Sequence, residues 1–303
     1  MKIFNKLKNL LKNPLLIFVF LNKRNIIKLS DENYLKIRYK ATFHKSLNLD
    51  NPETFNEKLQ WLKLYDRKKI YSTMVDKYEA KKYIANIVGE DYIIPTLGVY
   101  NKFEDIDFER LPNQFVIKCT HDSGGLIVVR DKSQLDIKYA RKKINKSLKT
   151  NYYMLGREWP YKNVKPRIII EKYMVDNTFG ELRDYKFFCF NGKVELFFIC
   201  SERSKEVKFT FFDKTGKFLN IKQCGAKNDP HVELPINLNK MIKLAEKLSK
   251  NIPHLRVDFY EINKKIYVGE LTFFDSSGFG YFEPEIWDKK LGDMIDLSLV
   301  KKL

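Results

Sequence analysis

The chain has 303 residues, 44% of them hydrophobic and 14% aromatic, with a formal net charge of +18. That apolar load excludes a disordered chain, and 13 Gly with 4 Cys exclude collagen-like and disulfide-scaffold classes. Of the 56 cations 45 are lysine, which favours any polyanion without choosing among nucleic acid, anionic lipid, nucleotide and acidic polysaccharide.

In chain order, residues 1–12 place Ile3, Phe4, Leu7, Leu10 and Leu11 at helical spacing among lysines until Pro14 interrupts. Two readings stand for 1–21: a helix lying on an anionic membrane face, or a terminal helix packed on the protein's own core. The apolar run 15–21 is far short of the roughly 20 residues a membrane span needs. It is followed by Asn22-Lys23-Arg24 without a small-residue cleavage site, unlike a secretory leader. Residues 30–72 read as short helices, with Thr54 and Glu57 spaced as a capping box. Phe55, Leu59, Leu62 and Tyr65 then share one helical face. A helix over 77–87 ends at Gly89.

Strands are expected at 92–100, 115–118 and 126–129, with the loop Cys119-Thr120-His121-Asp122-Ser123-Gly124-Gly125 between the last two and a lysine-rich helix over 135–148. From 168 onward strands dominate: 168–174, 185–190, 194–199, 209–212, 255–262 and 265–271, with a helix over 237–250. Asn191-Gly192 is the strongest hairpin signal in the chain, and a second hairpin turns at Asn263-Lys264. The pattern gives an α+β class with an antiparallel sheet in the C-terminal half. Cys119, Cys189, Cys200 and Cys224 have neither zinc nor C-x-x-C spacing, which suits a reducing cytoplasmic compartment.

Two constellations carry chemistry. Lys118 ends a strand and leads into Ser123-Gly124-Gly125, where glycines admit close backbone approach to a phosphate and the lysine offsets its charge. No G-K-[ST] follows, so this is not a Walker A loop, and a plain structural turn explains the same residues. In the second, the turn at 263–264 brings Asp258 and Glu270 together across a hairpin, with Arg256 on the face of Asp258. Paired carboxylates without His or Cys suit Mg²⁺ or Mn²⁺ bridging substrate phosphates. There is no convincing Ser/His/Asp or Cys/His set.

The order Asp76-Lys77, Lys118 with its Ser-Gly-Gly loop, Ile170-Glu171-Lys172-Tyr173-Met174, Arg256-Val257-Asp258 and Gly269-Glu270 resembles the ATP-grasp superfamily. Asn51-Pro52-Glu53-Thr54-Phe55-Asn56-Glu57-Lys58-Leu59-Gln60-Trp61, Lys118-Cys119-Thr120-His121-Asp122-Ser123-Gly124 and Asp184-Tyr185-Lys186-Phe187-Phe188-Cys189-Phe190-Asn191-Gly192-Lys193 are similar to the TupA-like proteins of bacterial surface-polysaccharide gene clusters. The resemblance spans about residues 30–290.

It implies two α+β lobes gripping ATP between antiparallel sheets, with a helical region over 1–72, a first lobe over 73–165 and a second over 166–303. Lys77 and Lys118 would reach the ATP phosphates, and Ser123, Gly124 and Gly125 would close over the γ-phosphate. Glu171, Lys172, Tyr173 and Met174 would form the hinge at the adenine, Asp184 would meet the ribose and Lys186 a phosphate. Asp258 and Glu270 would hold Mg²⁺, with Thr272 or Asp275 where many relatives place an Asn. Arg256 and the Gly278 amide resemble groups that stabilise an acyl-phosphate and its tetrahedral successor, and His121 is a candidate for catalysis.

The implied activity is ATP-dependent carboxylate–amine ligation on a uronic acid. An amino acid or amino sugar would be the amine, and an acidic or lipid-linked glycan at the inner membrane leaflet the partner. A glycosyltransferase is the rival enzyme reading, with Asp105-Ile106-Asp107 its one Asp-x-Asp, read here as capping. A nucleic-acid binder is the rival binding reading, prompted by charge and 17 Tyr. It lacks any RNP, zinc-finger or helix-turn-helix signature, so no specific nucleic acid is expected.

Overall fold

The computed structural model describes residues 13–24, 26–176, 181–203 and 205–300, so the helix expected within 1–12 lies outside the described residues. Among the described residues five α-helices precede the first strand: α1 (Leu15–Lys23), α2 (Asp31–Phe43), α3 (Phe55–Tyr65), α4 (Ile70–Val75) and α5 (Glu79–Val88). α1 turns Val19 into the core against α2 and leaves Ile17 and Phe18 exposed. The capping box forms. Thr54 accepts from the Glu57 amide at 3.3 Å while the Glu57 carboxylate accepts from the Thr54 amide at 3.1 Å, satisfying two donors at the helix start. α3 buries Phe55, Leu59 and Leu62 as the spacing predicts, and buries Gln60 and Lys63 beside them.

Next come β1 (Thr96–Tyr100), β2 (Phe115–Cys119) and β3 (Leu126–Val129), then α6 (Ile137–Leu148), α7 (Tyr153–Gly156) and β4 (Ile168–Lys172). The four strands make one antiparallel sheet in the order β1-β4-β2-β3. β4 was expected to open the second lobe; instead it lies between β1 and β2, with Ile168 opposite Tyr100 on one side and Cys119 on the other. The reason is in its residues: Ile168, Ile169 and Ile170 are all fully buried, and an apolar run covered on both faces belongs inside a sheet, not at an edge.

The second sheet comprises β5 (Asp184–Phe190), β6 (Lys193–Ser201), β7 (Lys208–Asp213) and β8 (Phe218–Leu219), then, after the short β9 (Lys222–Gln223) and α8 (Leu238–Leu248), β10 (His254–Ile262) and β11 (Lys265–Thr272). Its order is β11-β10-β5-β6-β7-β8. β12 (Phe282–Glu283) pairs with β9, and α9 (Ile286–Asp293) follows. Both predicted hairpins form. Asn191 and Gly192 take φ of 52° and 79°, and Asn263 and Lys264 take 49° and 65°, the left-handed pairs that tight turns between twisted strands require.

Two apolar clusters result. A small one under the first sheet joins Phe115, Ile117, Val129, Ile144, Ile168 and Ile170. A larger one merges the second sheet with helices α1 to α5, from Tyr34 and Phe55 to Phe187 and Phe259. The N-terminal helices and the second sheet therefore share a core, and the first sheet packs its own. Among the described residues no helix is long and apolar enough to cross a membrane.

Candidate active site

The sheets face each other across a cleft containing two adjoining cavities. The larger, about 350 Å³, is lined by Val116, Lys118, Leu126 and Val128 from the first sheet, by Tyr260 from the second, and by Leu182 and Arg203 from the segments before β5 and after β6. Glu171, Lys172, Tyr173 and Met174, where the chain passes from one sheet to the other, form its wall. The smaller, about 200 Å³, sets Lys77, Lys118, Asp122, Ser123 and Gly125 opposite Asp184, Lys186, Asp258 and Glu270. Lys118, Leu126, Arg203 and Tyr260 border both. One cavity is thus walled largely by carbon and the other by charge, a division that suits a flat heterocycle joined to a polyanion.

Each charged wall has a local cause. Lys118 alternates with buried Ile117 and Cys119 on β2 and so points to the cleft. Its ammonium lies 2.6 Å from Glu171 Oε2, while Lys81 of α5 reaches Oε1 at 2.5 Å. Burial alone would raise the Glu171 pKa, but the two lysines outweigh it and hold the carboxyl below its ordinary range. Burial pulls Lys81 down despite this pairing, because Lys118 shares the same carboxylate. Lys77 donates to the Asp122 carbonyl at 2.5 Å and lies 3.7 Å from Glu270 Oε1. The loop after β2 is anchored from below, with Asp122 accepting from the Gly125 amide at 3.1 Å and Ser123 Oγ lying 3.1 Å from the Tyr152 hydroxyl. A side chain at Gly125 would overlap Ser147 and Cys119, so close approach fixes that glycine. Gly124 stands between these two positions.

On the facing sheet Asp258 and Glu270 are cross-strand partners. Arg256 grips Asp258 with one edge of its guanidinium, Nε to Oδ1 at 2.7 Å and Nη2 to Oδ2 at 2.8 Å. Lys186 bonds the same Oδ2. Burial of Asp258 would raise its pKa, yet Arg256 and Lys186 keep it below the usual carboxylate range. Asp184 pairs with Arg203 and lies 3.9 Å from Lys186. Thr272 accepts from Arg256 Nη2 at 3.2 Å, and Asp275 is bonded by Arg256 and Gln223. Arg256 thereby organises Asp258, Thr272 and Asp275 at once.

Among the described residues no group of three or more His, Cys, Asp or Glu gathers as a metal cluster. Of the carboxylates lining the smaller cavity, Asp258 and Glu270 are cross-strand neighbours, beside Asp122 and Asp184. Two carboxylates without a closed cage match Mg²⁺, which is commonly held by one or two carboxylates with substrate phosphates and water. His121 lines neither cavity: its ring is buried, with Nε2 3.2 Å from the Thr150 carbonyl. Asp107 accepts from the Glu109 amide at 3.1 Å, capping a turn and not the helix start read for Asp105-Ile106-Asp107, and also lines neither.

Lys81, Arg203 and Tyr260 belong to the site and were not singled out in the sequence. Lys81 lies four residues after Lys77, one helical turn on, a spacing that could have flagged it. Arg203 and Tyr260 carry no local signal.

Residues 57–296 match the model of the TupA-like ATP-grasp family. No curated protein is significantly similar in sequence. Among solved structures, the chain is similar to D-alanine–D-alanine ligase from Bacillus anthracis in complex with ATP (19% identity, 74% of this chain and 63% of that one, TM-score 0.43). It is also similar to D-alanine–D-alanine ligase from Helicobacter pylori (17% identity, 74% and 61%, TM-score 0.38). A third is phosphoribosylamine–glycine ligase from Thermotoga maritima (15% identity, 68% and 49%, TM-score 0.38). The chain spans less than two thirds of the length of each of these three. With the family model covering most of its length, from α3 to beyond α9, this chain is a member of the TupA-like ATP-grasp family.

Proposed function

We propose that the protein is an ATP-dependent carboxylate–amine ligase of bacterial surface-polysaccharide synthesis. It would join the carboxylate of a uronic acid in an acidic or lipid-linked glycan to an amino acid or amino sugar. The observation that carries the reading is the cleft of a TupA-like ATP-grasp protein in which Lys77 and Lys118 on one wall face Lys186, Asp258 and Glu270 on the other. The basic surface suits such a glycan at the inner face of the membrane.

In this mechanism ATP is a substrate. An acceptor carboxylate oxygen attacks the γ-phosphorus, ADP leaves, and an acyl-phosphate forms. The amine nitrogen then attacks the acyl carbon, phosphate departs with the bonding pair, and the amine loses a proton. No nucleophilic side chain is needed, so the protein's work is positioning and charge neutralisation. Tyr173 and Met174 receive the adenine, Lys172 and Glu171 border it, and Asp184 meets the ribose. Lys77, Lys118 and Lys186 offset the phosphates beneath Ser123, Gly124 and Gly125. Mg²⁺ held by Asp258 and Glu270 would supply further neutralisation of phosphate charge. Arg256, fixed by Asp258, Thr272 and Asp275, presents its charge to the acyl oxygen together with the Gly278 amide. His121 is assigned to the base of the phosphate loop.

Thermal melting with and without Mg-ATP tests the reading. At 100 times Kd the nucleotide adds about 2.7 kcal/mol of apparent stability, and Asp258→Ala is expected to abolish the shift. A wild-type chain that Mg-ATP leaves unchanged and a nucleotide-sugar stabilises would instead support the glycosyltransferase.

A further inference from the structure

Lys63 is fully buried in helix α3, on the side of the N-terminal region that meets residues 275–278. Its ammonium donates to the Ser277 carbonyl at 2.7 Å, the Gly156 carbonyl at 2.8 Å, Gln60 Oε1 at 2.9 Å and Ser277 Oγ at 3.3 Å. The Phe279 ring lies 4.8 Å away and the Phe274 ring 5.5 Å. Gln60, one turn earlier, donates to the Gly278 carbonyl at 2.6 Å. Burial pushes the Lys63 pKa well down and the buried Glu158 carboxylate opposes it; a buried amine is costly unless engaged, so this many acceptors around one lysine marks a built contact.

What it grips is a strained turn. Ser276, Ser277 and Gly278 all take left-handed φ, at 47°, 55° and 61°. Serine rarely adopts that region, and such backbone persists only where its surroundings over-determine it. The approach leaves no room for change. A side chain at Gly278 would overlap Gln60, and one at Gly156 would overlap Ser277. At its other end the turn begins at Asp275, bonded to Arg256.

We propose that Lys63, with Gln60, is the positioning residue that holds the left-handed turn Ser276–Ser277–Gly278 in place, and with it Asp275, the partner of Arg256, so that the N-terminal helical region fixes the Arg256 side of the site. The inference rests on the ligase reading for its catalytic consequence and on the contacts alone for the geometry. It gives the helices before the first sheet a catalytic task. They set the turn that Arg256 meets through Asp275.

The test compares Lys63→Met and Gln60→Met with the wild-type chain. Hydrogen exchange over residues 274–280 is followed by mass spectrometry, and phosphate release from Mg-ATP is followed with glucuronate and a panel of amino acids. Both variants are expected to exchange the 276–279 amides at least tenfold faster while β10 and β11 stay protected. The affinity for Mg-ATP should stay within threefold of wild type, and kcat should fall at least thirtyfold at unchanged KM for ATP. A merely structural role would instead lower the melting temperature and loosen β10 and β11 as well. Unchanged exchange at 276–279 overturns the inference, and so does turnover within threefold of wild type. A wild-type chain that releases no phosphate with any pair overturns the ligase reading, and exchange then decides the positioning role by itself. Gln60→Met keeps Lys63 and its bonds to Ser277 and Gly156 in place and carries the test if Lys63→Met fails to fold.

Discussion

The second sheet is packed almost throughout with rings, whereas the first sets Phe103, Phe108 and Phe115 among branched aliphatics. Phe187 stacks on Phe197 with centroids 4.9 Å apart and meets Phe259 edge-on at 5.5 Å; Phe188, Phe198 and Phe211 continue the layer. The first sheet relies on Ile117, Val129, Ile144, Ile168 and Ile170, and its cleft face is occupied by Lys118 and Glu171. Each buried aromatic removes 150–250 Å² from water, so stabilisation concentrates in the second sheet and the helices that share its core. The division has a functional sense. Arg256, Asp258 and Asp275, whose mutual geometry must not drift, stand on the heavily packed side. The loop 119–125, which lines the smaller cavity, stands on the lighter one, where local opening costs less.

The most severe way to break that comparison is Phe187→Ala, expected to cost about 3–5 kcal/mol in urea denaturation. A loss no greater than that from trimming an isoleucine of the first sheet would show the two cores to be equivalent. Acid sharpens it next. His254 is enclosed by Phe55, Phe188 and Phe190, and one ring nitrogen, Nδ1, lies 3.1 Å from the Cys189 carbonyl. Burial pushes its pKa down to about 4. The unfolded chain therefore takes up a proton near pH 6.5 that the folded one refuses until about pH 4. Stability should fall as pH drops through that window by about 3 kcal/mol, and His254→Gln should flatten the slope. Glu171, held below the ordinary carboxylate range, loses its contribution only at still lower pH, so acid should loosen the second sheet's core before the first sheet's ion pairs. The smallest effect is Ile117→Val, about 0.5–1.5 kcal/mol. Hydrogen exchange should place it in β2 and β4, with the global urea midpoint nearly unmoved.

Local signals were the legible ones. The Thr54 cap, the Asn191-Gly192 turn and the Asn263-Lys264 hairpin are short-range patterns, and the hairpin register alone sets Asp258 against Glu270. β4 was legible as a strand but not as part of the first sheet, because pairing partners some 50 to 70 residues away leave no mark in the strand itself. Three of its isoleucines in a row were the available clue. The same limit hid Arg203, which meets Asp184 only because β5 and β6 pair. Lys63 is different. It falls four residues after Leu59 on an apolar helical face, a position where a charge is unexpected, so the anomaly was present in the sequence.

The order of burial along the chain has one more consequence. Helices α1 to α5 and the second sheet share a core, yet β1 through β4 are spliced between them, and the Lys172 amide donates to the Pro95 carbonyl at 3.0 Å. The splice points therefore touch. Yet residues 153–157 of the inserted stretch return to the helices, where Tyr34 and Lys63 donate to the Leu155 and Gly156 carbonyls and Asp31 accepts from Tyr153, so a chain in which 96–171 is excised and closed by a short linker should melt well below the intact one, its helical side left with buried polar groups unpaired.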